Sequence, residues 1–399
     1  MNHINKYSVS ILALLFIFSP LSFAGNEKID NKRLNFVLGE ASQFRALNDQ
    51  VAKNKSVEQK VVRPFWSRAL QTGKSKKKYF PEMASPTLAN GVLYVGTHSG
   101  IFYAIDVQRG KVLWHVKTSG PIASKAVVES DLVLFGNNKG DIYALNTSDG
   151  SEKWKLFVGG EILARPAASA NDVYVVNTSR EVSAIDLQTG TLRWSTYVKG
   201  FEKKITMRGN APVILVNDHL FVGFADGQVV NLSLSGAINW SKNFAEPNAN
   251  FWDVDAGVLL DNGILYVVGY FGSCLALSSS GQILWQVPVK SGSDISVDEN
   301  SLILSSADGK IIAFDKKNGK RLWQNPLDSG ALSAPLIMDD TVMVGSQQNF
   351  GFILSRQSGK TLQKFSISGG FLGNAVEDDS HFYFLSGSGV LRAFSINKM

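Results

Sequence analysis

The side chains able to carry chemistry are few, and their spacing argues against catalysis. Past the first residues the histidines are His98, His115, His219 and His381, in four separate stretches of chain. None has the HExxH or similar spacing that brings two imidazoles onto one metal ion. Cys274 is the single cysteine and stands in an apolar, strand-like run, so it reads as a buried inert thiol, and no intramolecular disulfide can form. Asp253 and Asp255 could serve as acid and base or hold calcium. Alternate residues of an extended segment point to opposite sides, however, which makes a shared catalytic site awkward and protein contact the better use. There is no GxSxG elbow and no glycine-rich loop between a strand and a helix. The expectation is a non-enzymatic protein with no catalytic residues, no metal and no cofactor.

Composition sets the broader class. Of 399 residues 44% are hydrophobic and 19% charged, enough apolar material for a large core and no signature of disorder. The formal charge of +6 is mild, and no basic face interleaved with aromatics appears, so a nucleic-acid partner is not expected. The dense run of Lys74 and Lys76 to Lys78 reads as a solvated loop. Lys6, the apolar run Val9 to Phe18, the break at Pro20 and the small residues Ser22 and Ala24 have the layout of a secretory signal peptide. Residues 1–24 are therefore expected to be cleaved after Ala24, and the run is too short to span a bilayer.

The elements that must position any site show themselves by self-similarity. Ala104-Ile-Asp106 leads to Gly110 and Trp114; Ala144-Leu-Asn146 to Gly150 and Trp154; Ala184-Ile-Asp186 to Gly190 and Trp194. The unit recurs at Trp240, Trp285 and Trp323, and once more with Gln363 where a tryptophan should stand. A period near 40 residues indicates a propeller or solenoid. Runs such as Val92 to Gly96, Asp131 to Gly136, Val173 to Val176 and Thr341 to Gly345 read as short strands between turn residues. Asp or Asn followed by Gly makes a hairpin, the tryptophan lies in the next strand, and its ring can wedge between neighbouring sheets where a small alanine leaves room.

Each unit is thus about four antiparallel strands that must pack on its neighbours. The last unit, carrying Ala393-Phe-Ser395, lacks its outer strand, while Val61 to Trp66 looks like that strand detached from any unit. Joining the two leftovers closes a ring. The predicted fold is all-β: an eight-bladed β-propeller of four-stranded antiparallel blades over 61–399, with repeat tryptophans at 66, 114, 154, 194, 240, 285 and 323. Residues 25–60 form a polar linker with weak helical spacing at Phe44, Leu47 and Val51.

Tryptophan spacing then points to a binding face. Trp194 to Trp240 and Trp240 to Trp285 are each longer than the repeat, and both extensions fall between an outer strand and the next inner strand. Insertions gathered on one face of a repeat protein mark its binding side. The first holds Ile205-Thr-Met207-Arg208 and the second Phe251-Trp252-Asp253-Val-Asp255, with Trp252 the only tryptophan out of register. Aromatic, Met and Arg side chains together have the composition of an interface hot spot. An internal pair between Arg208 and an aspartate, pinning the loops together, is the compatible alternative.

The unit Ala-x-Asp-x-x-Thr-Gly-x-x-x-Trp, complete at Ala184 to Trp194, resembles the tryptophan-docking, pyrroloquinoline-quinone-like repeat of the quinoprotein dehydrogenases and their relatives. Within that superfamily the chain from about Val61 onward is similar to the BamB family, propeller subunits of the outer-membrane β-barrel assembly machinery. Ile205-Thr-Met-Arg-Gly-Asn-Ala-Pro212 is similar to that family's Leu-Ser-Leu-Arg-Gly loop with its following Ala-Pro, and Asp253-Val-Asp255 to its Asp-Val-Asp segment. The resemblance implies a periplasmic, outer-membrane-associated protein that binds the POTRA domains of a BamA-like partner through Ile205, Met207, Arg208, Asp253 and Asp255. It further implies a monomer within a complex that touches the membrane only peripherally and possible contact with nascent barrels. The family's lipid-bearing cysteine is replaced by Gly25. A quinoprotein-type oxidoreductase and a generic periplasmic protein-binding propeller are the alternatives.

Overall fold

Short runs of Val, Ile, Leu, Tyr and Phe, each ended after five or six residues by Asn, Asp or Gly, cannot make helices and pair instead with their sequence neighbours. In the computed structural model, which describes residues 61–70, 82–200, 211–244, 257–269, 272–289 and 291–397, they form eight four-stranded antiparallel sheets. Blade 1 runs outward through Thr87–Ala89, Val92–Gly96, Ile101–Asp106 and Val112–Lys117, here strands A to D. Blades 2 to 7 repeat this order, and the A strands of successive blades pack against one another around the centre. No helix occurs among the described residues. The leader, the linker with its expected short helix, and the lysine run at 74–78 lie outside them.

Blade 8 is assembled from both ends of the propeller sequence. Val376–Glu377, His381–Leu385 and Val390–Ile396 supply strands A to C, and Val62–Ala69 supplies D. The A strand of blade 1 packs on that of blade 8, which closes the ring. The seam reproduces a detail of the ordinary blades. In blade 1, Ala104 lies opposite Trp114 and a bulge follows, leaving Leu113 as the extra residue; at the seam Ala393 lies opposite Trp66, with Phe65 as the extra residue.

Inter-blade packing explains the repeat. Trp66, Trp114, Trp154, Trp194, Trp240, Trp285 and Trp323 each donate the indole N–H to a backbone carbonyl in the C–D hairpin of the next blade, at 2.8–3.0 Å. The ring lies flat against the glycine of that hairpin: a Cβ at Gly190 would come within 2.7 Å of Trp154. Glycine thus serves both the left-handed turn, at φ +70°, and the neighbour's ring. The expected role of the alanine is corrected accordingly. Ala184 sits across from Trp194 of its own blade, and room for the neighbour's ring comes from glycine. Asp131, expected to open a strand, is a turn residue ahead of Leu132–Gly136.

Gln363 also has a reason. The next blade there is blade 8, whose strands C and D belong to separate pieces of chain, so no hairpin exists for an indole to dock on. Gln363 instead donates Nε2 to Val62 O at 3.0 Å and accepts Val62 N–H on Oε1 at 2.9 Å.

Candidate functional site

Strands alternate in direction, so every D-to-A connection emerges on the face that also carries the B–C turns. Four of these connections are nine residues long, 118–126, 158–166, 327–335 and 367–375. Those leading into blades 4 and 5 are longer, with sixteen residues (198–213) and thirteen (244–256). A third long one of seventeen, 70–86, joins blade 8 to blade 1; it went unnoticed in the sequence because Trp66 was read as a detached strand.

The six residues expected to make contact, Ile205, Met207, Arg208, Trp252, Asp253 and Asp255, lie outside the described residues. The roots of their two connections lie inside, and one turn of blade 4, Phe224 to Gln228, holds both. On the first, Gln228 Nε2 donates to Lys199 O at 3.3 Å, and Ala211 N–H donates to Gly223 O at 3.0 Å where the chain returns. On the second, Phe244 N–H donates to Gly227 O at 2.9 Å and Asn243 Nδ2 to Asp226 O at 3.1 Å.

Arg180, from the B–C turn of blade 3, locks this junction. Its Nε donates to Val198 O at 2.9 Å, its Nη1 lies 3.1 Å from Asp226 Oδ2, its Nη2 bonds Gln228 Oε1, and its guanidinium covers the Phe224 ring at 4.2 Å. Asp226 is buried. Arg180 adopts φ +67°, at the turn position where blades 1, 2, 4, 6 and 8 have Gly100, Gly140, Gly227, Gly309 and Gly389. A left-handed non-glycine residue costs on the order of 1 kcal/mol, which the guanidinium, bonded to three separate acceptors and stacked on Phe224, offsets. Sequence reading missed Arg180, although an arginine at a glycine position of the repeat was a visible signal.

The channel wall was the other place for chemistry. Three or four residues before the last residue of each A strand, the blades present Ser85, Lys125, Arg165, Pro212, Gly257, Asp294, Ala334 and Asn374. Asn374 Nδ2 donates to Asp294 Oδ2 at 2.6 Å and Asn374 N–H to Ser85 Oγ at 2.7 Å. Burial, with the neighbouring Arg165 charge, lowers the Lys125 ammonium to about 8. This ring offers one carboxylate and no tryptophan, a poor donor set for a calcium-held quinone. Among the described residues no three His, Cys, Asp or Glu side chains gather as a metal site, and Cys274 is fully buried, with its thiol held well above the usual range by desolvation. His381 stacks on Phe65 at 4.3 Å between ring centres, and His219 Nδ1 faces Asn239 Nδ2 at 3.3 Å, both within their own blades.

A relative from Legionella pneumophila described as outer membrane protein assembly factor BamB is 27% identical over 201 residues, 48% of this chain and 52% of the relative, so the aligned region spans about half of the relative's length. The crystal structure of BamB from Moraxella catarrhalis superposes with a TM-score of 0.74 at 19% identity, covering 84% of this chain and all of that one. The quinohemoprotein alcohol dehydrogenase of Comamonas testosteroni superposes with a TM-score of 0.68 at 13% identity, over 86% of this chain and 78% of that enzyme, a likeness of fold alone. The family profile described as outer membrane protein assembly factor BamB matches residues 50–155, 110–256 and 233–392, nearly all of the repeat region, and the chain belongs to that family.

Proposed function

We propose that this chain is a non-enzymatic periplasmic scaffold subunit of the outer-membrane β-barrel assembly machinery. It binds the POTRA domains of a BamA-like protein and assists barrel folding and insertion. The observation that carries the reading is that the two long connections, 198–213 and 244–256, are rooted on one turn, Phe224 to Gln228, and leave the same face from adjacent blades. A pair of loops rooted together can present Ile205, Met207 and Arg208 with Trp252, Asp253 and Asp255 to one partner.

Arg208→Glu tests it. Reversing a central interface charge is expected to abolish co-purification with a BamA-like partner while the melting temperature stays within a few degrees of wild type. Undiminished capture by the variant would overturn the assignment. The fold likeness to quinohemoprotein dehydrogenases supplies the competing reading of an oxidoreductase; dye reduction by the purified chain with pyrroloquinoline quinone, calcium and an alcohol would establish that instead.

A further inference from the structure

We propose that the outer edge of blades 6, 7, 8 and 1 is a binding surface for an anionic lipid bilayer. The inference goes beyond the docking reading, whose loops leave the opposite sector of the disc, and does not depend on it.

Charge around the rim is strongly uneven. The C–D hairpins and D strands of blades 6, 7 and 1 (315–326, 355–366, 106–117), with the D strand region of blade 8 (61–70), hold twelve Lys and Arg against two Asp. The matching segments of blades 2 to 5 (146–157, 186–197, 233–244, 278–289) hold four against three. The two acids of the basic sector are occupied: Asp106 Oδ1 accepts the Arg109 N–H and Asp315 Oδ1 the Lys317 N–H of their own turns. Most of the cations are exposed, Lys316 being the buried exception, paired with Asp261 at 2.8 Å.

Ring closure creates this sector. Segments near residues 61–117 and 315–366 are remote in the chain, and they become neighbours only because Val62–Ala69 completes blade 8. Between the cations, Phe65, Leu113 and Leu322 stand out from the D strands, 44%, 51% and 51% exposed. Bases interspersed with projecting apolar side chains suit the interface of an anionic membrane, which attracts Lys and Arg held within a Debye length of its surface. The A–B turns on the same face, nearer the channel, carry Asp339, Asp340 and Asp379. The positive field is therefore confined to the edge, and a bilayer would meet the disc rim-first.

The test is co-sedimentation of the full chain with vesicles of phosphatidylglycerol and phosphatidylcholine, compared with phosphatidylcholine alone. Binding is expected only with the anionic lipid, at about 0.1 M salt, with release at about 0.5 M. Lys320→Glu combined with Lys360→Glu should lower the partition coefficient at least about tenfold. Lys139→Glu with Lys153→Glu, the same change of net charge in the neutral sector, should change it less than about threefold. No anionic-vesicle binding, equal losses from both pairs, or loss caused by Lys76, Lys77 and Lys78→Gln while the rim pair binds normally, would each overturn the proposal. Circular dichroism of each variant verifies that the sheets are intact.

Discussion

Arg180 shows how one side chain can couple a strained turn to the roots of two long connections. Its left-handed backbone gains nothing locally; the compensation is the Asp226 ion pair, the Gln228 and Val198 bonds and the Phe224 face. Removing the cation takes from the buried Asp226 carboxylate its ion pair and from Gln228 and Val198 a donor, so Arg180→Ala is expected to destabilise by about 1–3 kcal/mol. Asp226→Asn in that background should restore part of the loss, and a double-mutant cycle by urea unfolding should give a coupling of about 1–3 kcal/mol. Additive losses would mean that the two act separately. Arg180→Gly separates the parts differently: it relieves the turn but frees the roots of both connections, so partner binding should weaken more than stability. The two long connections were legible in the sequence as insertions of unusual composition. Their support showed only as an arginine at a glycine position of the repeat; that it meets Asp226 and Gln228 follows from the packing of blade 3 on blade 4, which the motif does not encode.

At the scale of the blade, the hairpin glycine and the preceding blade's tryptophan form one unit. Gly190→Ala is expected to cost about 1 kcal/mol for its positive φ and a further 1–3 kcal/mol, roughly, for pressing Trp154 out of place. Gly263→Ala provides the comparison, with φ +77° and no atom within 4 Å of the new methyl group, so it should show the backbone cost alone. Equal shifts in the urea midpoint for the two variants would show that the indole stacks without constraining the turn. Blade count, strand order and closure could be read from the sequence because this unit recurs, and strands of five or six residues leave little freedom in pairing. Gln363 could be seen as an exception but not explained. Its reason, a missing hairpin opposite, exists only once the seam is formed, and Gln363→Trp should therefore fail to stabilise the ring.

The ring as a whole is only as secure as its seam, and the seam contains a buried acid. Glu82 lies in the last part of the long connection from blade 8 and donates its N–H to Gly387 O at 3.0 Å, while its Oε2 accepts the His98 N–H at 2.7 Å. It is 3% exposed, and its Oε1 has no partner among the described residues. Desolvation raises this carboxyl to about 7, the backbone bond from His98 opposing the rise. A folded-state value above the unfolded one means that the native state holds the proton longer. Stability is then full below about 4.5, falls as the pH climbs towards 7, and levels off above it, a loss on the order of 3 kcal/mol. Glu377, raised to about 7 by burial and by Asp339, Asp378 and Asp379, acts in the same direction from a more exposed position. Glu82→Gln keeps the shape and removes the charge, so it should flatten most of that slope and melt above wild type at pH 8, the two proteins converging near pH 4. If thermal melts across this range gave parallel curves, the ionisation of Glu82 would have no hold on the seam, and closure would rest on the strand pairing of Val62–Ala69, the Gln363 bonds to Val62, the docking of Trp66 and the A-strand packing of blade 1 on blade 8.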